Sequence, residues 1–557
     1  MSGGLIQLAA FGTQDILLTA DPDITFFKVT IRRHTAFAIE SIQQTITGSG
    51  TNFGSDLTIT IARSGDLLWR TNLEVEIPGF TDTLTGIPAG IKGARWTPAR
   101  WTDDIGHHLI QSCEVQIGGQ RIDKHYSDWL QIWSQLTVKA DQRDGYNKMI
   151  GNVQELCGSA GAPTLQAVSG TPNAVYKRPS YRVFIPLQFW FCRSPGMALP
   201  LIALPYHEVK LMIHLNSIQN LIIDGSIDYT NVTGFESSDG SAVTVFAASN
   251  SASANVVINS PATDLANRPL SMSVWADYIY LDVTERKRFA QTSHEYLIDQ
   301  LQFTGAQNIP ENVSEASLTL NFNHPTKELI WVLRKDYYTK KNAWSTDNNP
   351  YNIQNQWSNY QMCAYNANAN KYSNVDGAVF GQVEYGNMST TDYNPMKNGR
   401  LMINGNDRFR ERVGEYFNLM QTYQHHTCIP QSKGINVYSF GLYPEDIQPS
   451  GTINFSRIDN TQLIIHTKES IPAKIGYIAA DDTTGATDTV NANSRYIVKT
   501  GGNNNLININ EKVNGSSIVY NAPTTGSLTT GYNVLVYATN YNVLRIISGM
   551  GGLAFSN

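Results

Sequence analysis

Short runs of alternating apolar and polar residues recur along almost the whole of this 557-residue chain, and they constrain its fold more than any other feature. Successive strand side chains point to opposite faces, so a period of two marks a strand with one buried and one solvated side. Leu57-Thr58-Ile59-Thr60-Ile61 and Leu73-Glu74-Val75-Glu76-Ile77 carry that period, the second stopped by Pro78. Residues 24–31 (Ile-Thr-Phe-Phe-Lys-Val-Thr-Ile) and 37–42 read as two strands broken at Arg33-His34-Thr35. Residues 113–117 run into Gly118-Gly119, a tight-turn signal. Residues 183–191 are mostly apolar and read as a buried strand, with Pro186 at a bulge or on an unpaired side. Residues 209–215 and 274–283 complete a first set of roughly eight strands.

A second set follows at 296–303, 318–322, 329–333, 435–443 and 463–467, closed by 534–538, by 541–547 or by both. The chain exceeds the roughly 250 residues at which one core stops growing, so two large domains are expected. Many strands separated by turn signals favour sandwiches or barrels over βαβ units. Each half carries one helix-like insert: Trp129, Ile132, Trp133 and Leu136 form an apolar stripe in the first, and Val413, Tyr416, Phe417 and Met420 form one in the second. Each insert precedes a strand ending in a Pro-Gly loop, Arg193-Ser194-Pro195-Gly196 in one half and Gln448-Pro449-Ser450-Gly451 in the other, an order that suggests duplication. The expected organisation is an N-terminal arm at 1–23, a first domain at 24–283, a charged linker at 284–294 and a second domain at 295–557. Residues 217–270, 341–398 and 481–530 lack a sustained period and read as long loops, the middle one rich in aromatics (Trp344, Tyr351, Trp357, Tyr360, Tyr365).

Charged residues make up only 16% of the chain, with Asn, Gln, Ser and Thr in their place. A neutral polar surface suits large protein–protein contacts, where buried charge is costly. The net charge is −6, and the nearest thing to a basic block is the compensated Glu285-Arg286-Lys287-Arg288, so direct nucleic-acid binding is not expected. Five unpatterned cysteines (Cys113, Cys157, Cys192, Cys363, Cys428) fit free thiols made in a reducing compartment. The N-terminus lacks the basic head and apolar core of a signal peptide, and no apolar run is long enough to span a bilayer. The sequons at Asn231, Asn312, Asn387, Asn454 and Asn514 read as chance.

No constellation reads as an active site, and no catalytic, cofactor-binding or metal-ligating residue is expected. His107-His108 beside Asp103-Asp104 and His425-His426 beside Cys428 contain ligand types, but neighbours on a strand point apart. Asp277, Asp282, Glu285 and Arg286 read as edge and salt-bridge residues. Gly549-Met550-Gly551-Gly552 follows a strand without a following helix and so lacks dinucleotide-binding context. There is no phosphate loop, nucleophile elbow or His-Glu-x-x-His.

Several segments carry a resemblance. The opening Gly3-Gly4-Leu5-Ile6-Gln7-Leu8 through Arg32-Arg33-His34-Thr35, the run FIPLQFWFCRSPGMALPLIALP at 184–205, Trp275 to Asp282 followed by Glu285 to Gln291, His294 to Ile298, Gln448 to Asp459, and Tyr541 to Arg545 together resemble the major capsid proteins of nucleocytoplasmic large DNA viruses. That resemblance implies an all-β fold of two tandem eight-stranded jelly rolls with short helical inserts and long loops. It also implies a structural subunit, not an enzyme, without cofactors, whose homotrimers form pseudo-hexagonal capsomers tiling an icosahedral shell. The implied partners are neighbouring capsomers and minor capsid and penton proteins, with the N-terminal segment on the shell's inner side near an inner viral membrane. The implied location is the outer capsid shell of the virion, with synthesis and assembly in the host cytoplasm or a virus factory. Within the matched segments Gly451 permits a turn, and Arg457 and Asp459 are expected on one strand face, so that Arg457→Ala lowers trimer yield. A glycan-binding β-sandwich or fibre-like attachment protein is the alternative; a carbohydrate-active enzyme would need two carboxylates at a workable separation.

Overall fold

The computed structural model describes residues 3–48, 50–85, 91–92, 95–97, 99–157, 174–223, 226–228, 234–235, 257–258, 265, 268–310, 313–336, 339, 355–360, 394–432, 434–468, 509–513, 516–520 and 531–555. The three long loops expected at 217–270, 341–398 and 481–530 lie mostly outside these.

Sixteen principal strands carry the architecture. The first eight are β1 Phe37–Gln44, β2 Asp56–Thr60, β3 Leu67–Ile77, β4 Ile110–Ile117, β5 Gln120–Tyr126, β6 Tyr181–Pro186, β7 Val209–Leu215 and β8 Ser271–Leu281. The next eight are β9 His294–Phe303, β10 Glu315–Thr319, β11 Pro325–Lys335, β12 Met396–Ile403, β13 Asn406–Val413, β14 Ile435–Ser439, β15 Thr461–Thr467 and β16 Tyr532–Ile547. In the first half they pair in the orders β1-β8-β3-β6 and β5-β4-β7-β2. In the second half the orders are β9-β16-β11-β14 and β13-β12-β15-β10, strand for strand the same. Short extra strands extend three of the four sheets. Every pairing among these strands is antiparallel. Two such sheets with first and last strands adjacent make a jelly roll, and the chain holds two in tandem.

Burial follows the alternation in the sequence. Along β7 every second residue from Val209 to Leu215 is buried, and along β3 Leu73, Val75 and Ile77 are wholly buried while Asn72, Glu74 and Glu76 face outward. The inward residues of each half form an apolar core, and the first also takes in Ile298 of β9 and Leu544 and Ile546 of β16 from the second half. Gly118 and Gly119, at φ +57° and +83°, turn β4 into β5. At Gly451 (φ +134°) a Cβ would stand 3.1 Å from Gly441 Cα and from Phe440 O, so the expected turn excludes a side chain.

The structure corrects several readings. Residues 24–31 form no strand: they run on from α1 (Gly3–Ala9) and α2 (Ile16–Thr19) in an extended arm with Phe27 98% exposed. Alternation makes a strand only where a neighbouring strand satisfies its backbone, and among the described residues none pairs with this run. The strand expected over 183–191 stops at Pro186; Phe189, Trp190 and Phe191 stay buried in a loop and a short helix. The two candidate closing strands are one, β16. His107 and His108 lie on a short helix, α3 (Ile105–Leu109), not on a strand. Ser127–Thr137 forms α4, the first expected insert. The charged linker is itself helical: α5 (Val283–Gln291) starts at Asp282, whose side chain accepts from Glu285 N, and Arg286 reaches Asp66 at 3.0 Å.

The second insert stripe splits. Val413 ends β13, Phe417 enters the core, and Met420 faces outward, because a π-helical turn (Tyr416–Met420) precedes α6 (Gln421–His425) and the extra residue rotates the face. Arg457 and Asp459 do not share a strand. Asn454 accepts from Ser456 N and opens a 3-10 turn (Phe455–Arg457), so the chain is coiled there, and the geometric basis for an Arg457→Ala effect on trimer yield is removed.

Candidate functional site

The largest concentration of unusual side chains lies where the two jelly rolls meet. The stripe of α4 (Trp129, Ile132, Trp133, Leu136) is buried, but not in its own domain's core. It packs on the outer face of the β9-β16-β11-β14 sheet, against Ile330 and Val332 of β11, Ile435 and Val437 of β14, and Leu535 and Tyr537 of β16. The ring centroid of Trp129 is 5.6 Å from that of Tyr537 and 5.4 Å from that of Trp133. Arg193, from the first Pro-Gly loop, lays its guanidinium 4.3 Å over Trp133 and reaches the Asp299 carboxylate at 3.0 Å. Beside α4, β5 lies along β9: Leu301 N donates to Asp123 Oδ1 at 3.0 Å and Gln300 to the Ile122 carbonyl.

A second clasp comes from the middle long loop. Residues 355–360 lie against the first jelly roll, where Asn355 Nδ2 donates to the carbonyls of Gln219 and Ile222, both at 2.7 Å. Thr102 donates to Asn355 O at 2.6 Å, and Trp357 Nε1 to Asn220 O at 2.7 Å. Asp128, at the start of α4, accepts from Arg334 (2.7 Å) and from the Tyr360 hydroxyl (2.9 Å). Two of the loop's aromatics, Trp357 and Tyr360, are thus interdomain contacts; Trp344, Tyr351 and Tyr365 lie outside the described residues.

The histidines singled out from sequence serve this framework. His107 sits between Gln131 Oε1 (2.6 Å) and the Tyr146 hydroxyl (2.9 Å), and His108 Nε2 is 2.7 Å from Ser358 Oγ across the interface. Burial lowers the pKa of both, His108 to about 4, so both imidazoles are neutral. Asp104 accepts from Gln131 and Asn152, and Asp103 pairs with Arg100 at 3.1 Å. In the second pair, His425 Nδ1 meets the Leu442 carbonyl at 2.9 Å, while Cys428 Sγ donates to Val138 O. The His426 imidazole is fully buried between Glu328 (2.9 Å) and Glu445 (2.7 Å). Burial alone would strip its proton, yet the two carboxylates outweigh that and raise its pKa to about 9. Glu328 resists burial in turn and is held below the ordinary carboxylate range by His426 and Lys327. Sequence reasoning singled out His426 but missed its two carboxylates, because the triad's members come from three separate segments; Glu328 beside the apolar run of β11 was the further available signal.

Among the described residues no group of three His, Cys, Asp or Glu side chains is placed to hold a metal ion. Among them, too, no helix is long and apolar enough to cross a membrane. Cys113, Cys192 and Cys428 are free thiols, and burial pushes Cys192 up to about 11.

Two jelly rolls clasped by a helix and a strap, with their chemistry spent on holding the halves together, define a double-jelly-roll structural protein. Comparison with known proteins agrees. The family described as major capsid protein N-terminus matches residues 25–282, and that described as large eukaryotic DNA virus major capsid protein matches residues 285–515. The major capsid proteins of Phaeocystis pouchetii virus and of Paramecium bursaria Chlorella virus 1 are each 38% identical to it over the whole of both chains. Among solved structures, the quasi-atomic model of the PBCV-1 virus capsid matches with 33% identity and a TM-score of 0.56, covering 96% of this chain and 100% of that one. The Faustovirus major capsid protein matches at 12% identity and a TM-score of 0.58, covering 98% of this chain and 96% of that one, which bears on the fold alone. The chain belongs to the major capsid protein family of large eukaryotic DNA viruses. Its role is structural and not enzymatic, and membership of that family goes with a place in the virion shell.

Proposed function

We propose that three copies of this chain close into a homotrimeric, pseudo-hexagonal capsomer, and that such capsomers tile the outer shell of an icosahedral virion. The observation that carries this reading is the strand-for-strand repeat of the two jelly rolls within one chain, fixed against each other by α4 and the 355–360 strap. Three chains then present six near-alike units, and a head-to-tail contact that rotates by one sixth of a turn per unit closes a ring. The domain division follows the sequence reading: an arm at 1–23, jelly rolls at 24–283 and 295–557, and a linker at 284–294. The arm and the strandless run that follows it to residue 36 expose Leu5, Leu8, Leu17, Phe26 and Phe27, an apolar set suited to minor capsid proteins on the inner side of the shell, near an inner viral membrane. Neighbouring capsomers and penton proteins are the remaining partners. Assembly takes place in the host cytoplasm or a virus factory, without direct nucleic-acid contact. No residue serves as a catalytic, cofactor-binding or metal-binding group in this reading.

The test is the solution mass of the purified chain by light scattering, with negative-stain images of the same sample. Three chain masses and hexagonal outlines are expected. A monomer at every concentration, even with minor capsid partners added, overturns the reading.

A further inference from the structure

The repeat of the two jelly rolls makes one asymmetry conspicuous. In the first, the α4 residues Trp129, Ile132, Trp133 and Leu136 stand 3, 6, 7 and 10 residues past Tyr126, the last residue of β5. In the second, Tyr416, Leu419, Met420 and Tyr423 stand at the same four distances past Val413, the last residue of β13, and β13 holds the same sheet position as β5. The first set is buried by the outer face of the other jelly roll. Tyr416 packs on its own domain's core, but the other three counterparts are uncovered: Leu419 is 42%, Met420 49% and Tyr423 73% exposed, with Leu442 and Tyr443 exposed beside them.

The receiving surface shows the same asymmetry. The face of the second jelly roll that covers α4 belongs to the sheet β9-β16-β11-β14, and its counterpart in the first is the outer face of β1-β8-β3-β6. That counterpart carries exposed Phe37 and Ile39 on β1 and exposed Phe184 on β6, beside the half-buried Trp275 on β8. Within the chain β5 lies along β9, so the equivalent contact brings β13 along β1. Charge fits as well. β13 exposes Arg408, Arg410 and Arg412, while the receiving sheet presents Glu74 and Glu76, which share one arginine, Arg182, between them.

We infer that the Leu419–Met420–Tyr423 face and β13 dock on the outer β1-β8-β3-β6 face of a second copy of this chain. The contact repeats between chains what α4 and β5 make within one. It is heterologous, so every copy donates one helix face and offers one sheet face, and a closed ring uses both. The inference rests on the trimeric reading and names the surfaces that would form it.

Two single-face variants test it, Met420→Asp with Tyr423→Asp on the donating side and Phe184→Asp on the receiving side. All three side chains are exposed, so the thermal melt of each variant is expected to match that of the isolated wild-type chain. Each variant is expected to lose the trimer at concentrations where the wild type is fully assembled. An equimolar mixture retains one intact donor and one intact acceptor and is expected to give particles of two chain masses. Hydroxyl-radical footprinting of the wild type needs no variant and covers the case of a misfolded one. Met420, Tyr423 and Phe184 are expected to be protected several-fold in the trimer relative to dissociated chains. A wild-type trimer in which these residues stay as reactive as in the monomer, or folded variants that still trimerise, overturns the surfaces while leaving the trimer standing. A wild type that never trimerises overturns both.

Discussion

His426 is an imidazolium held between two carboxylates where water does not reach, and it joins β11 to the loop that carries Glu445. Removing one partner of a buried ion pair leaves the other charge uncompensated, so His426→Gln is expected to cost roughly 3–5 kcal/mol in chemical denaturation near neutral pH. The pH dependence has a definite sign. The folded pKa of His426 lies above its ordinary 6.5, at about 9, so its contribution is complete below 6.5 and fades as pH rises through about 9. Glu328, shifted downward, contributes above the ordinary carboxylate range and loses its contribution in acid, as pH falls through its lowered folded value. The stability gap between wild type and His426→Gln is therefore expected to be wide near pH 6, to narrow as pH rises from about 6.5 to about 9, and to level off above that. A gap that stays constant across that range would show that the triad is not ionised in the folded chain.

At the level of elements, the strap at 355–360 rests on one backbone conformation. Asn355 has φ +59°, a region Asn tolerates better than most residues, and from there its side chain reaches two carbonyls of the other jelly roll. Asn355→Gly keeps that backbone accessible and removes both donors, at a cost of roughly 1–3 kcal/mol for buried acceptors left unpaired. Asn355→Ala adds backbone strain to the same loss and is expected to be the less stable of the two. Hydrogen exchange at residues 355–360 and 219–222 reads both, and equal exchange in all three proteins would remove the strap from the interface. Elements like this mark where the sequence was readable and where it was not. Strands β2, β3 and β7 were legible because one face meets a core and the other meets water, which writes a period of two directly. The same period at 24–31 misled, since pairing depends on a neighbour that no local pattern encodes. The stripe of α4 announced a buried helix but not what buries it, because its cover comes from β11, β14 and β16, far along the chain. The strap was visible only as aromatic residues in a loop too polar to be core, and the His426 triad only as its histidine, whose carboxylate partners lie in other segments of the chain.

For the molecule as a whole, the interface between the jelly rolls makes them one body in two parts. Each part leaves an apolar surface that the other covers: Trp129, Ile132, Trp133 and Leu136 on one side, Ile330, Val332, Ile435, Val437, Leu535 and Tyr537 on the other. Contiguous exposed apolar patches beyond a few hundred Å² drive association in water. Residues 1–291 and residues 292–557 expressed separately are therefore expected to aggregate, although each contains a complete set of eight strands and most of a core, the first lacking only Ile298, Leu544 and Ile546 of its buried cluster. Co-expressed, they are expected to co-purify as a one-to-one complex. The contact is mostly apolar and carries few charges, so that complex should survive high salt, where the surface ion pairs are screened. Arg193–Asp299 and Arg334–Asp128 are half-buried or better and add orientation rather than the bulk of the affinity. Two soluble halves that ignore each other would mean that the covalent linker, and not the face that α4 fills, sets the angle between the jelly rolls. A capsomer needs that angle fixed before three chains meet, because a ring of six units closes only when every contact repeats the same rotation.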